Sequence, residues 1–396
     1  MCFPRSRRTI WHFAKYVVIL IVIYLATFVL QSKQFVFADT LTEAEKELSQ
    51  NVDEGLSAID FSDFSGVGFD FIGDIAGRIK KIINGDFENA ETFGTAVVSV
   101  FLSELKEILP SLVIIFVILV IVGLCKRTND GLMSESTNNT VSFVALTSIV
   151  TLLISLLAEI YKNVFGTIKQ IGTLCDIASP IMLTLLVANG GMVTSSICQP
   201  SMILFSSTII KFVSNVLAPV SLVAVVFVFV GNISSNVKMQ RLSNYTCNVC
   251  SWALGVAFMI FFGFTAVQGI AATKIDGVSF RLAKFAAKSY VPIIGGYVAD
   301  GFDMVMASTT LIKNAFGVVA LCVLVGIIIK PLLLIISLKI GLSVTTAIGE
   351  PLMDEKHAKT FDGLNKCLGF WAAMLIAVAF MFAILMLICM NCVNGV

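Results

Sequence analysis

The sequence LGFWAAMLIAVAFMFAILMLIC, residues 368–389, contains no charged side chain. About 20 consecutive apolar residues are enough for an α-helix to cross the hydrocarbon core of a bilayer. Charged groups are costly at that depth, so a run of this length without one is typical of a membrane span. We therefore predict a transmembrane helix here.

Similar apolar runs recur along the chain and predict an all-α fold, a polytopic transmembrane helical bundle of seven or eight spans. The count depends on Lys330-Pro331, which is either a tight turn between two spans or a kink in one long helix. The run 201–230 is longer than one crossing needs, so it is expected to be kinked or to enter the membrane as two pieces. The other predicted spans are Ile108–Cys125, Val141–Ala158, Ile177–Cys198, Ser201–Val230, Ser251–Ala272, Ala315–Ile329 and Pro331–Ile348.

The composition agrees with this prediction. Hydrophobic residues make up 57% of the chain and charged residues 13%, about half the roughly 25% of an average soluble domain. The mean hydropathy of +0.93 is too high for a soluble protein, whereas lipid accepts an apolar surface. No basic cluster is dense enough for nucleic-acid binding.

Residues 1–38 have the organisation of a secretory signal peptide. Arg5, Arg7 and Arg8 form a basic start, Tyr16–Leu30 is apolar, and Ala38 is the small residue expected at a cleavage site. The alternative is an uncleaved anchor with the same pattern. In both cases the chain after residue 38 begins on the far side of the membrane.

Residues 39–107 form the only long segment without a predicted span. They contain fifteen Asp or Glu and five Lys or Arg, a net charge of −10. Apolar residues at helical spacing predict a small helical segment, which we expect to be extracytoplasmic. The membrane domain occupies residues 108–396.

This orientation can be compared with the charges of the predicted loops. The cytoplasmic loops carry ten Lys or Arg and the external loops five, in agreement with the positive-inside rule. The predicted cytoplasmic loops are 126–140, 273–314 and 350–367, and the external ones are 159–176, 231–250 and the turn at Lys330.

Residues suited to catalysis or metal binding are scarce. One of the two His residues lies in the predicted signal, and His357 alone cannot form a His-rich metal site or a triad. No Walker loop, GxSxG elbow or HExxH helix is present. We predict no enzyme activity, no cofactor and no metal ion. The CxxC pairs Cys247/Cys250 and Cys389/Cys392 are interpreted as small apolar residues rather than as disulfides or a zinc site.

Lys211 and Lys339 lie within predicted spans. A buried charge costs roughly 2.5–3.5 kcal/mol there even on the lenient insertion scale. A lysine near a span end can extend its ammonium to the interface, but Lys339 is near the middle of its span. A polar cavity or a subunit contact is the alternative for this residue.

The segment 291–303 is too polar and rich in glycine for a span and too apolar for an ordinary loop. It is a candidate re-entrant or interfacial segment, since broken backbone at membrane depth requires protein or water around it. Asp300 and Asp303 are three residues apart and would share one helical face. They form either an ion or proton site or, as we favour, carboxylates that hold the polar side of the segment.

This segment also carries a resemblance to a known family. Its residues and those that follow are similar to the signature of the stage III sporulation protein AE family of endospore-forming bacteria. The similar residues are Tyr290–Gly296, Asp300, Asp303 and Leu311–Gly317, the last of which includes Lys313 and Asn314.

Two further pieces resemble the same family. Pro180, with the runs 183–186 and 190–191, is similar to its central proline-containing span, and Glu350-Pro351-Leu352 is similar to its polar-Pro-Leu loop. Glu350 departs from the amide that is usual at that position. The order of features matches over essentially the whole chain.

The resemblance implies an integral membrane subunit of a channel or secretion-like complex that joins mother cell and forespore and is needed for forespore development. It places the chain in the mother-cell membrane around the forespore. The implied partners are membrane lipid, a cytoplasmic ATPase and ring-forming membrane proteins of the complex. The alternative is a stand-alone secondary transporter or permease, although no convincing internal repeat is found. The candidate functional positions are Lys339, Lys211, Asp300, Asp303, Gly295, Gly296, Lys313 and Asn314.

Overall fold

The computed structural model describes residues 90–127, 135–233, 239–290, 295–349 and 355–392. Within these ranges the ordered elements are helices, and no β-strand is present. This confirms the predicted all-helical class for the described part. The predicted signal peptide and residues 39–89 of the acidic segment lie outside the described residues, so both stay predictions.

The described residues form seven main helices. Between α3 and α4 the chain remains helical through a π segment at Leu204–Ile209, a short α-helical piece at Ile210–Phe212 and a second π segment at Val213–Leu217. The helices are α1 Ala90–Arg127, α2 Glu135–Ala188, α3 Met192–Ile203, α4 Ala218–Ile233, α5 Gln240–Tyr290, α6 Gly295–Gly349 and α7 Glu355–Asn391.

Six helical stretches of the described chain are long and apolar enough to cross a membrane. The predicted count of seven or eight is not confirmed, because predicted spans merge. Val141–Ala158 and the first part of Ile177–Cys198 lie together in α2, and the turn at residues 189–191 interrupts the second of them. Both Ala315–Ile329 and Pro331–Ile348 lie in α6, which continues through Pro331.

The merged helices are longer than one crossing requires. The apolar part of α6, Met304–Gly349, has 46 residues, which is about 69 Å at about 1.5 Å per residue. The hydrocarbon core is about 30 Å thick. The predicted loop 159–176 is helical within α2. The comparison of loop charges treated it as a separate loop, so that comparison cannot test the predicted orientation. The orientation therefore stays a prediction.

Helix α7 occupies the centre of the bundle. It packs against α2, α4, α5 and α6, and its apolar window is 56% buried, more than that of any other candidate span. Large side chains of α7, including Trp371 and Phe382, are fully buried. The core therefore forms around this helix.

Helices α6 and α7 run antiparallel, and α1 packs on the outside of α6. Asn365 Nδ2 donates to Ser343 Oγ at 3.3 Å near one end of the pair. Glu104 of α1 forms an ion pair with Lys330 at 3.7 Å. Since α1 begins at Ala90, residues 90–107 are helical and continuous with the first predicted span.

Candidate functional site at the end of the central helix

Lys313 lies in α6 with its side chain fully buried. Its Nζ donates a hydrogen bond of 2.5 Å to the backbone carbonyl of Cys392, at the end of α7. The last carbonyls of a helix lack partners within the helix and carry its negative partial charge, so an ammonium is favourable there. The sequence placed Lys313 in a cytoplasmic loop. The loop assignment was wrong, because Lys313 lies in a helix and inside the bundle, whereas the cytoplasmic side stays a prediction.

Three thiols gather beside this contact. Cys198 of α3 lies within hydrogen-bonding distance of Cys389 and Cys392, and the backbone carbonyl of Cys392 is the one that accepts from Lys313. The second CxxC pair is thus part of a contact between helices. Among the described residues, no group of three His, Cys, Asp or Glu is arranged to hold a metal ion.

The first CxxC pair also makes its closest contact across helices. Cys247 of α5 faces Cys367 of α7 with the two Sγ atoms 3.6 Å apart. Cys250 is buried one turn further along α5. The sequence analysis did not single out Cys367, whose pairing depends on how α5 and α7 pack.

Mild oxidation of the purified protein in detergent is expected to link Cys247 to Cys367. The thiols already touch, and a disulfide needs only a small approach of two side chains on neighbouring helices. Peptide mapping after alkylation should recover the Cys247–Cys367 peptide pair. Cys250→Ser should leave this product unchanged, whereas a dominant Cys247–Cys250 product would contradict the geometry.

The turn between α2 and α3 places a polar side chain near this end of the bundle. Gly190 has φ 75°, its N–H donates to the carbonyl of Val187, and the N–H of Gly191 donates to the carbonyl of Leu186. This is the Schellman pattern that ends a helix, and its left-handed residue is normally glycine. The turn presents Asn189, which is almost fully buried.

Gly190→Ala is expected to destabilise the protein by about 1–2 kcal/mol, the cost of a left-handed conformation for an L-residue. Thermal unfolding in detergent measures the change. Gly255→Ala in α5 is the matched control, since a Cβ there meets nothing within 4 Å and alanine favours the helix. Equal stability of the two variants would contradict the assigned role of Gly190.

Asn189 joins the turn to α6. Thr310 Oγ1 lies 3.0 Å from Asn189 Oδ1 and donates to it. Asn189 Nδ2 and Asn314 Oδ1 are buried without a hydrogen-bond partner among the described residues. Each amide can therefore take one more partner, such as a water molecule. We use the name buried polar cluster for Asn189, Cys198, Thr310, Lys313, Asn314, Cys389 and Cys392.

The structure places Lys339 and Lys211 away from this cluster. Lys339 is half-buried and lines a shallow groove of about 360 Å³ with Ser343. A Cβ at Gly369 would lie 3.3 Å from the Lys339 ammonium, so glycine makes room for it. Lys211 is exposed on the outside of the bundle, between the two π segments.

The candidate re-entrant segment is only partly described. Residues 291–294 lie outside the described residues, and Gly295, Gly296, Asp300 and Asp303 belong to the first turns of α6. The backbone from 295 to 303 is helical, and the re-entrant or interfacial character of the segment stays a prediction. The common face predicted for Asp300 and Asp303 stays a prediction.

Comparison with known proteins supports the resemblance found in the sequence. The family model for stage III sporulation protein AE matches residues 74–392. Stage III sporulation protein AE of Bacillus subtilis (strain 168) is 28% identical over 203 residues, which cover 51% of this chain and 51% of that protein. No solved structure matches. Because the family model matches most of the sequence, this chain belongs to the stage III sporulation protein AE family.

Proposed function

We propose that the chain is a non-catalytic membrane subunit of a sporulation channel or secretion-like complex that joins mother cell and forespore and supports forespore development. Its family implies a sporulation role, and six apolar helical stretches suit an integral membrane protein. The proposed location is the mother-cell membrane around the forespore. The proposed partners are a cytoplasmic ATPase and ring-forming membrane proteins.

One observation supports an assembly subunit over a stand-alone transporter. The centre of the bundle is filled by α7 and by large side chains such as Phe205, Phe261 and Phe382. A transporter of alternating access needs a polar site near the bilayer midplane that opens to each side in turn. Here the buried polar cluster lies at the end of α7 rather than at its centre, and the exposed polar groups Lys211 and Ser343 lie on the outside, where other subunits can reach them.

Reconstitution distinguishes the two functions. Purified protein in liposomes is expected to show no solute uptake with or without a proton gradient. The same chain should restore sporulation to a strain that lacks its own copy. Gradient-driven uptake by the chain alone would favour the secondary transporter and overturn the proposal.

Lys339→Leu tests the groove within this function. Leucine removes a half-buried charge from an apolar helix, so the abundance of the protein in the membrane should be unchanged or higher. If the ammonium contacts a partner, sporulation should nevertheless fall, by roughly tenfold or more. Heat-resistant spore counts and immunoblots measure the two quantities.

The neighbouring groove residue Ile340 provides the control for this variant. Ile340 is exposed in the same groove, so Ile340→Leu preserves the apolar surface and should change neither measurement. Normal sporulation of Lys339→Leu at normal abundance would contradict a functional contact at Lys339.

A further inference from the structure

We propose that one outer face of the bundle is the surface through which two copies of this chain associate. The inference builds on the proposed function in one respect, that the chain acts as a subunit of an assembly. We call this surface the polar face. It consists of the exposed residues Lys169, Gln170, Thr173, Asp176, Ser207, Thr208, Lys211 and Asn215.

The polar face consists of two rows of residues on neighbouring helical segments. One row, within 169–176, lies on α2, and the other, within 207–215, lies on the helical segment between α3 and α4. Gly172 of α2 packs against Ile210, since a Cβ there would lie 3.0 Å from Ile210 Cγ2. Thr173 and Lys211 directly follow these contacting residues, so the rows lie at the same height along the bundle. Both helices turn their inner sides to α7. Their exposed residues therefore point away from the centre.

At the same height along the bundle, α5 exposes apolar side chains. Phe205, beside the polar face, contacts Phe261 of α5 with ring centroids 5.7 Å apart. Near Phe261, Met259 is 76% exposed and Ile260 is 62% exposed. Exposed side chains of this kind are suited to lipid. The polar face is thus at the height of an exposed apolar surface that suits lipid, yet charged groups facing lipid are unfavourable.

The local helix geometry keeps the exposed polar residues of 207–215 on one side of their helical segment. A π turn closes from residue i to i+5 and so holds about one residue more than an α turn. Ser207, Lys211 and Asn215 are spaced four apart, and π segments on both sides of Lys211 reduce the drift of that spacing around the helix. The second π segment precedes Pro219, whose ring conflicts with the carbonyl four residues earlier.

Two charges of the polar face, Lys211 and Asp176, suit a second copy of the same face. Lys211 is the one charged residue in the 40-residue apolar stretch Met192–Gly231, and Asp176 lies on the neighbouring helix. Among the described residues neither forms an ion pair. We place a two-fold axis through the face so that Lys211 of each copy meets Asp176 of the other, since a self-complementary interface repeats each contact twice.

Site-specific photo-crosslinking in membranes of a non-sporulating bacterial host tests the association. A benzophenone amino acid at Thr208 in a chain that is co-expressed with two different tags should give a species of twice the chain mass that carries both tags. The same probe at Met259 should give no doubly tagged species. A face that lines a water-filled conduit, or binds only lipid or host proteins, would give no doubly tagged product and would overturn the proposal.

Charge reversal tests the pairing itself. Lys211→Asp alone and Asp176→Lys alone should each lower the crosslinked product by roughly tenfold or more, because like charges then face each other. Co-expression of the two single variants should restore the product, since opposite charges meet again between copies. An ion pair within one chain would stay broken in both variants, so absence of rescue would reject the pairing.

These experiments separate the inference from the proposed function. Crosslinking in the non-sporulating host does not depend on a sporulation complex, and spore counts are measured independently. Normal sporulation without doubly tagged product would reject the polar face as a self-association surface and leave the proposed function standing.

Discussion

Lys313→Ala is expected to destabilise the protein by about 3 kcal/mol, within the range for large-to-small changes and for removal of one partner of a buried charged contact. The substitution leaves the carbonyl of Cys392 without its ammonium partner and opens space at a fully buried position. The end of α7 would then lose its anchor to α6. Thermal unfolding in detergent, followed by tryptophan fluorescence, measures the effect.

Two further variants make this test specific. Lys162 is exposed on α2, so Lys162→Ala should change stability by no more than about 0.5 kcal/mol. Lys313→Met keeps most of the side-chain volume and removes the charge together with its desolvation cost. It should therefore lower the free energy of unfolding less than Lys313→Ala does. Equal stability of Lys313→Ala and Lys162→Ala would show that the buried polar cluster does not hold the helix end.

The class of fold was predictable from the sequence because it depends on local composition. Apolar runs such as 368–389 have one low-energy arrangement in lipid, a helix with all backbone groups bonded internally. The run at 315–348 also predicted helix correctly on both sides of Lys330-Pro331. It left the connection open, because a proline permits a continuous kinked helix when neighbouring helices support it.

The sequence contained a signal that the two predicted spans in α2 form one continuous helix, but the charged residues between the spans obscured it. Glu159, Lys162 and Asp176 lie in the predicted loop 159–176, but polarity alone does not end a helix. Ile160, Val164, Ile168 and Ile171 recur at spacings of three and four, and all are buried. That periodicity is typical of a helix with one packed face. The charged residues lie on its exposed side.

The buried polar cluster was predictable only in part. Lys313 and Asn314 were selected through the family resemblance, but their surroundings come from distant parts of the chain. The partner of Lys313 is 79 residues away, and Thr310 meets Asn189 across 121 residues. Hydrophobic periodicity describes which face of a helix is buried and contains no information about which helix covers it. Packing decides those contacts.

Trp371→Ala is expected to cost about 3–5 kcal/mol, the usual range for removing a buried aromatic side chain. Trp371 is fully buried in α7, and its Nε1 donates to Ser221 Oγ at 3.0 Å. Its ring contacts Tyr161 and Phe165 of α2 at centroid distances of 5.7 and 6.3 Å. One side chain thus connects three helices at the centre of the bundle.

The size of this loss depends on what holds helices together in lipid. Lipid tails are as apolar as the core, so helix association depends on close packing and hydrogen bonds rather than on the exclusion of water.

Trp371→Phe keeps much of the packing and loses the hydrogen bond to Ser221, so it should cost only about 1–2 kcal/mol. The fraction of monodisperse protein after heating, measured by size-exclusion chromatography, ranks the variants without relying on tryptophan emission. Trp252 is 71% exposed on α5, and Trp252→Ala should behave like the parent chain. If Trp371→Ala matched Trp252→Ala, the packing of α7 against α2 and α4 would not determine the stability of the bundle.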